Sequence, residues 1–95
     1  MSNVQQTSLL AYKEAKQKLN QKQSIVLYTL QQIYPATNLD IATHLGWPIN
    51  SVTPRVYELR AKKLVVDVKK AIDPRTGRLS MFWRPNKQPV EFENE

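Results

Sequence analysis

The sequence predicts an α+β fold: a helical bundle with an extra N-terminal helix, closed by a C-terminal two-stranded β-hairpin. Three observations predict it. Apolar residues recur at helical spacing from residue 9 to residue 59. Two capping-box patterns, Asn20 with Gln23 and Thr37 with Asp40, divide that stretch into separate helices. Beyond residue 63 the period changes to two, with the turn sequence DPRTGR set between LVVDVKKAI and LSMFWR. With 95 residues and 41% apolar content, the chain describes one small domain around one core. A chain of this length buries roughly two-thirds of its unfolded surface and leaves little volume for an enclosed catalytic pocket.

The first helix is expected over residues 7–19, TSLLAYKEAKQKL, where Leu9, Tyr12, Ala15 and Leu19 form a narrow apolar stripe. The second begins after Asn20 and turns Val26, Leu30 and Ile33 inward. It ends at Tyr34, because Pro35 disfavours helical geometry in the residue before it. Thr37 opens a short third helix, NLDIATHL, expected to bury Leu39, Ala42 and Leu45 and to stop at Gly46. A fourth helix follows in GWPINSVTPRVYELRAKK. Proline is tolerated only in the first helical turn, so the expected N-cap is Ser51, give or take one residue, which places Pro54 at the third helical position. Val52, Val56 and Leu59 then face inward, and Pro54, Tyr57, Glu58 and Ala61 face outward with Thr53 and Arg55 beside them. In the hairpin, Leu64, Val66 and Val68 on one strand and Leu79, Met81 and Trp83 on the other share the inward parity.

Charge is concentrated. Residues 55–87 hold ten of the fourteen basic residues and three of the eight acidic ones, while the end of the chain carries Glu91, Glu93 and Glu95. A concentrated positive field attracts polyanions far better than a dispersed one. The absence of cysteine removes disulfides and thiolate chemistry and suits a reducing compartment. No apolar run reaches the 18 or so residues of a membrane span, and the N-terminus lacks the zones of a signal peptide, so a cytoplasmic setting is expected.

A short helix, a glycine turn and a second helix with small, polar and basic residues on its outer face are the parts of a helix-turn-helix, whose second helix fits a DNA major groove. The hairpin adds Lys69, Lys70, Arg75 and Arg78 at or beside its turn, where cations can reach the sugar-phosphate backbone.

Through TNLDIATHLGWPINSVTPRVYELRAKKLV the chain resembles winged helix-turn-helix modules, among them MarR-like regulators. The combination of SLLAYKEAKQKLNQKQ, LGWPINSVTPRVYELR, TGR and FWRP is similar to small winged-helix proteins of phages and prophages. The resemblance spans roughly residues 20–85, with residues 1–19 as a helical extension and 86–95 as an acidic tail expected to be flexible. It implies double-stranded DNA binding, as a small transcriptional regulator or an accessory factor in phage-type DNA metabolism, and no cofactor. If the chain is phage-encoded, the setting is the cytoplasm of a bacterial host. The implied recognition-helix contacts are Ser51, Thr53, Pro54, Arg55, Tyr57 and Glu58; the wing contacts are Arg75, Thr76 and Arg78, beside Lys69 and Lys70. In two places the chain departs from the pattern. Many winged domains carry glycine after the recognition helix, where this chain has Lys62, Lys63 and Leu64, so either Lys63 is left-handed or the helix ends differently. Pro54 stands where relatives often carry a polar or basic contact.

An enzyme is not expected. There is no glycine-rich phosphate loop, and the single histidine, His44, reads as a helix-surface residue with no metal-ligand set around it. Trp47 and Trp83 read as core anchors rather than base-stacking platforms. The rival from another class is a winged-helix module that binds a protein instead of DNA. The stripe of Leu9, Tyr12 and Leu19 could pack on its own domain or pair with a second copy, and a homodimer through the N-terminal helix is the expectation.

Overall fold

The computed structural model describes residues 4–86, with side chains from residue 10 onward. Four helices, α1 (Val4–Gln17), α2 (Gln21–Ile33), α3 (Asn38–Leu45) and α4 (Ile49–Ala61), precede two strands, β1 (Val65–Asp73) and β2 (Arg78–Pro85). The strands pair antiparallel, giving an α+β architecture of four helices followed by one hairpin.

Both reciprocal caps form. The Asn20 side-chain oxygen accepts from the Gln23 amide at 2.8 Å, and Gln23 Oε1 accepts from the Asn20 amide at 3.0 Å. Thr37 and Asp40 repeat the exchange at 3.0 and 2.9 Å. Each cap satisfies two amides that a helix start leaves unpaired. Helix α3 ends at Gly46 with φ 70°, where the Trp47 amide reaches back to the Ala42 carbonyl and the Gly46 amide to that of Thr43. These two bonds make a Schellman motif.

Helix α4 ends in the same way without a glycine. The Leu64 amide donates to the Leu59 carbonyl and the Lys63 amide to the Arg60 carbonyl, both at 2.9 Å, and Lys63 takes the left-handed position with φ 65°. Leu59 and Leu64 are both fully buried, as the apolar contact of this motif requires. A side chain with a Cβ is strained at this φ by about 1–2 kcal/mol. Lys63→Gly is therefore expected to raise unfolding stability by roughly 1 kcal/mol, less than the full strain because glycine also adds freedom to the unfolded chain. Urea unfolding of the two proteins measures the difference.

The start of α4 differs from the expectation. The helix opens at Ile49 with Pro48 as N-cap and no side-chain cap, so Pro54 is its sixth residue rather than its third. Pro48 has φ −65°, and the Ser51 amide closes onto its carbonyl at 2.9 Å, which winds the helix immediately after the glycine exit of α3. Val52, Val56 and Leu59 are fully buried as expected. Burial of three such side chains contributes about 1.5–3 kcal/mol each, which outweighs the ~3 kcal/mol that an interior proline costs.

The core joins Val26, Leu27 and Leu30 of α2, Ile41 and Ala42 of α3, the buried face of α4, Leu64 and Val65, and Trp83 of β2. In α3 the deepest residue is Ile41 rather than Leu39 or Leu45, both of which are half-buried. Tyr12, Ala15 and Leu19 pack against this core, and the Tyr12 hydroxyl donates to the Asn86 carbonyl at 3.2 Å. The side chain of Leu9 and the acidic tail beyond Asn86 lie outside the described residues.

Trp83 is buried as expected, and Trp47 packs half-buried against the core. The Trp83 backbone also exchanges two hydrogen bonds with Ala36 at 3.0 and 2.8 Å, so the segment between α2 and α3 clips to the hairpin. The inward parity of β1 differs from the expectation. The ladder shifts register between Asp67 and Lys69, leaving Val68 as an extra residue, 43% exposed, while Val65 rather than Val66 is buried. Leu79 is exposed as well, opposite the equally exposed Ile72 near the free end of the hairpin.

Candidate nucleic-acid interface

The outer surface of α4 and the hairpin form the two walls of an open cleft of about 310 Å³. Ile49 and Tyr57 lie on the helix side, Thr37 and Asn38 at the base of α3, and Thr76, Arg78 and Ser80 on the hairpin side. Asn50, Pro54, Tyr57 and Ala61 follow the spacing i, i+4, i+7, i+11 opposite the buried face, and all four are exposed. The Tyr57 ring meets Trp83 edge to face, with centroids 6.4 Å apart and an interplanar angle of 84°. The core thus steadies an exposed aromatic on the helix surface.

Of the six residues expected on the recognition helix, Pro54 and Tyr57 stand free on this ridge, and Ser51 and Thr53 flank it half-exposed. Thr53 Oγ1 accepts from the Asn38 side-chain amide at 3.3 Å. Arg55 and Glu58 face each other in a bidentate pair, with both nitrogen-oxygen distances 2.8 Å, and Gln23 of α2 donates to the same carboxylate at 2.8 Å. These hydrogen bonds, Arg55 first and Gln23 second, hold the Glu58 carboxyl down to about 2, and the carboxylate raises Arg55 above its ordinary value. Both groups are therefore charged across the neutral range.

On the hairpin, the turn is built by Asp73, which is buried. Its carbonyl accepts from the Thr76 and Gly77 amides and its carboxylate from the Arg75 amide, with Gly77 at φ 71°. Arg75 bonds to Asp40 of α3 and lies 3.6 Å from the Asp73 carboxylate, so the expected wing arginine ties the hairpin tip to α3. The Thr76 hydroxyl accepts from the Arg78 backbone amide at 3.1 Å, and Arg78 is exposed. Lys69 lies over the ring of its cross-strand partner Phe82 at 5.4 Å, and Lys70 is exposed opposite Met81.

Among the described residues, Arg60, Lys62, Lys63, Lys69, Lys70 and Arg78 form no ion pair, whereas Arg55 and Arg75 do. Arg60 and Lys63 border a second recess beside Tyr57, at the C-terminal end of α4. Ile49, Asn50, Arg60, Lys62 and Lys63 are absent from the contacts expected from sequence. Pro48, whose fixed φ suits a helix start, is the signal that brings Ile49 and Asn50 onto the helix. His44 is exposed on α3, and no cluster of three metal-ligating side chains occurs among the described residues. No helix there is long and apolar enough to cross a membrane. No protein-family model and no curated protein matches the chain.

Proposed function

We propose that the protein is a winged helix-turn-helix module that binds double-stranded DNA noncovalently, with α4 entering the major groove and the hairpin lying along the backbone. It acts as a small transcriptional regulator or an accessory factor of phage-type DNA metabolism, in the cytoplasm of a bacterial host if phage-encoded. The observation that carries this reading is the juxtaposition across one open cleft of Ile49 and Tyr57 on the outer side of α4 and, on the hairpin, Arg78, which forms no ion pair among the described residues. A helix of ordinary diameter fits the major groove, and cations beside it neutralise phosphates.

Lys69, Lys70 and Arg78 supply salt-sensitive backbone affinity, joined by Arg60, Lys62 and Lys63. Tyr57, Thr53, Ser51 and Pro54 face the bases. Arg55, Glu58 and Arg75 act chiefly by holding this surface in shape, and Thr76 orients Arg78. A symmetric pair formed through α1 would present two such surfaces to successive half-sites. Tyr12, Ala15 and Leu19 are engaged within their own domain; among the described side chains of α1, Leu10, 65% exposed, is available for such a contact.

Arg78→Ala is expected to weaken binding to all duplexes by a similar factor, with the slope of log affinity against log salt falling by about one. Tyr57→Ala is expected to change the ranking of sequences more than the slope. Anisotropy titrations against a panel of duplexes measure both. If the two variants behave alike, this division of roles is wrong.

One observation favours a second reading. Ile72 and Leu79 oppose each other near the hairpin end and are 60% and 62% exposed, a pair suited to a protein partner. A hairpin surface that binds protein in place of DNA would leave random-sequence duplexes unbound even at low salt.

A further inference from the structure

We propose that the exposed ridge of α4 selects A·T base pairs, with Asn50 reading adenine and its apolar neighbours meeting thymine methyls. The inference rests on the DNA-binding reading above and names the class of sequence that the surface takes.

Three observations carry it. First, Asn50 is in the opening turn of α4, exposed, on the same ridge as Pro54, Tyr57 and Ala61. An asparagine carboxamide matches the N6 donor and N7 acceptor that adenine presents in the major groove. Second, every other position on that ridge is uncharged, and proline, alanine and the exposed Ile49 alongside offer carbon surface to the methyl group that only thymine carries there. Third, the side chain best suited to guanine is withheld. Arg55 is the arginine closest to the ridge in the N-terminal half of the helix. Glu58 occupies it through two hydrogen bonds, and Gln23 holds Glu58 in turn. Reaching a guanine edge would require breaking a bidentate pair, and no other arginine belongs to the first three turns of α4. The surface therefore combines a fitted reader for adenine with a built-in restraint on reading guanine.

The test uses full-length protein and three 25-base-pair duplexes that share flanks. Their central eight pairs are A·T, G·C, or A·T with 7-deazaadenine in place of adenine, which deletes only the N7 acceptor. The wild-type protein is expected to bind the A·T duplex at least about tenfold more tightly than the G·C duplex, and to lose about fivefold or more on the deaza duplex. Asn50→Ala is expected to bind the A·T and deaza duplexes equally. Circular dichroism confirms that this exposed-site variant is folded. Glu58→Gln, which releases Arg55, is expected to narrow the A·T to G·C ratio by improving G·C binding; an unchanged ratio would overturn the withheld role of Arg55.

Equal wild-type affinity for all three duplexes would overturn the inference while leaving DNA binding intact. An A·T preference that survives both the deaza substitution and Asn50→Ala would also overturn it, because the preference would then come from duplex shape. Binding to none of the duplexes would remove the DNA-binding reading itself, and this inference with it.

Discussion

Trp83→Ala is expected to lower unfolding stability by about 3–5 kcal/mol, the largest effect of any single substitution considered. Trp83 is 4% exposed and joins three parts of the molecule. Its side chain enters the helical core, its ring supports Tyr57 edge to face, and its backbone pairs with Ala36 between α2 and α3. Truncation leaves a large cavity where the hairpin meets the bundle. A domain of this size has about 5–14 kcal/mol in all, so the loss takes a large fraction of it. A fall in melting temperature of at least about 12 °C follows. Thermal unfolding followed by circular dichroism measures it, and Trp47 remains as a fluorescence probe. Trp83→Phe, which keeps an aromatic anchor, should recover much of the stability. A change below about 1 kcal/mol for the alanine variant would mean that the hairpin is held some other way.

Pro54→Ala is expected to act in the opposite direction, raising stability by about 1–2 kcal/mol. As the sixth residue of α4, Pro54 cannot donate an amide hydrogen to the Asn50 carbonyl, and its ring crowds that carbonyl. Alanine restores the bond and removes the crowding, worth about 3 kcal/mol in an ordinary helix interior. Part of this is offset because proline restricts the unfolded chain, and because both Asn50 and Pro54 lie on the solvent face, where water can serve the orphaned carbonyl. Chemical denaturation of the two proteins gives the difference directly. A loss of stability instead would place Pro54 in the first turn, where its ring belongs, and would contradict the helix start at Ile49. The same variant bears on function, because Pro54 sits on the ridge between Asn50 and Tyr57.

Much of the helical layout is legible in the sequence because the signals are local. Asn20 with Gln23, Thr37 with Asp40, and Gly46 mark helix ends through bonds that span at most five residues. The buried triplet of α4 follows from its spacing alone, and the hairpin turn from the turn-forming residues of DPRTGR. What escapes the sequence is non-local or depends on one residue of offset. The start of α4 moves by three residues, from an N-cap at Ser51 to one at Pro48, because proline can open a helix without a side-chain cap. The bulge at Val68 alters the strand parity, which no alternation of apolar residues reveals. Leu79 keeps an inward pattern yet lies beyond the reach of the bundle. For the candidate site, the region is legible from charge and pattern, but the availability of each cation is not. Arg75 meets Asp40 only because the hairpin folds back over 35 residues, whereas the Arg55 and Glu58 pair, three residues apart, could be anticipated.

The measurement that bears most directly on the central claim is fluorescence anisotropy of a labelled random-sequence duplex of about 25 base pairs, titrated with protein from about 50 to 200 mM salt. Arg60, Lys62, Lys63, Lys69, Lys70 and Arg78, which form no ion pair among the described residues, set the expected result: saturable binding whose log affinity falls linearly with log salt, with a slope of about −3 to −5 if most of them meet phosphates. Absence of binding at about 50 mM salt would contradict the account, and the cleft between α4 and the hairpin would then be read as a surface for a protein partner.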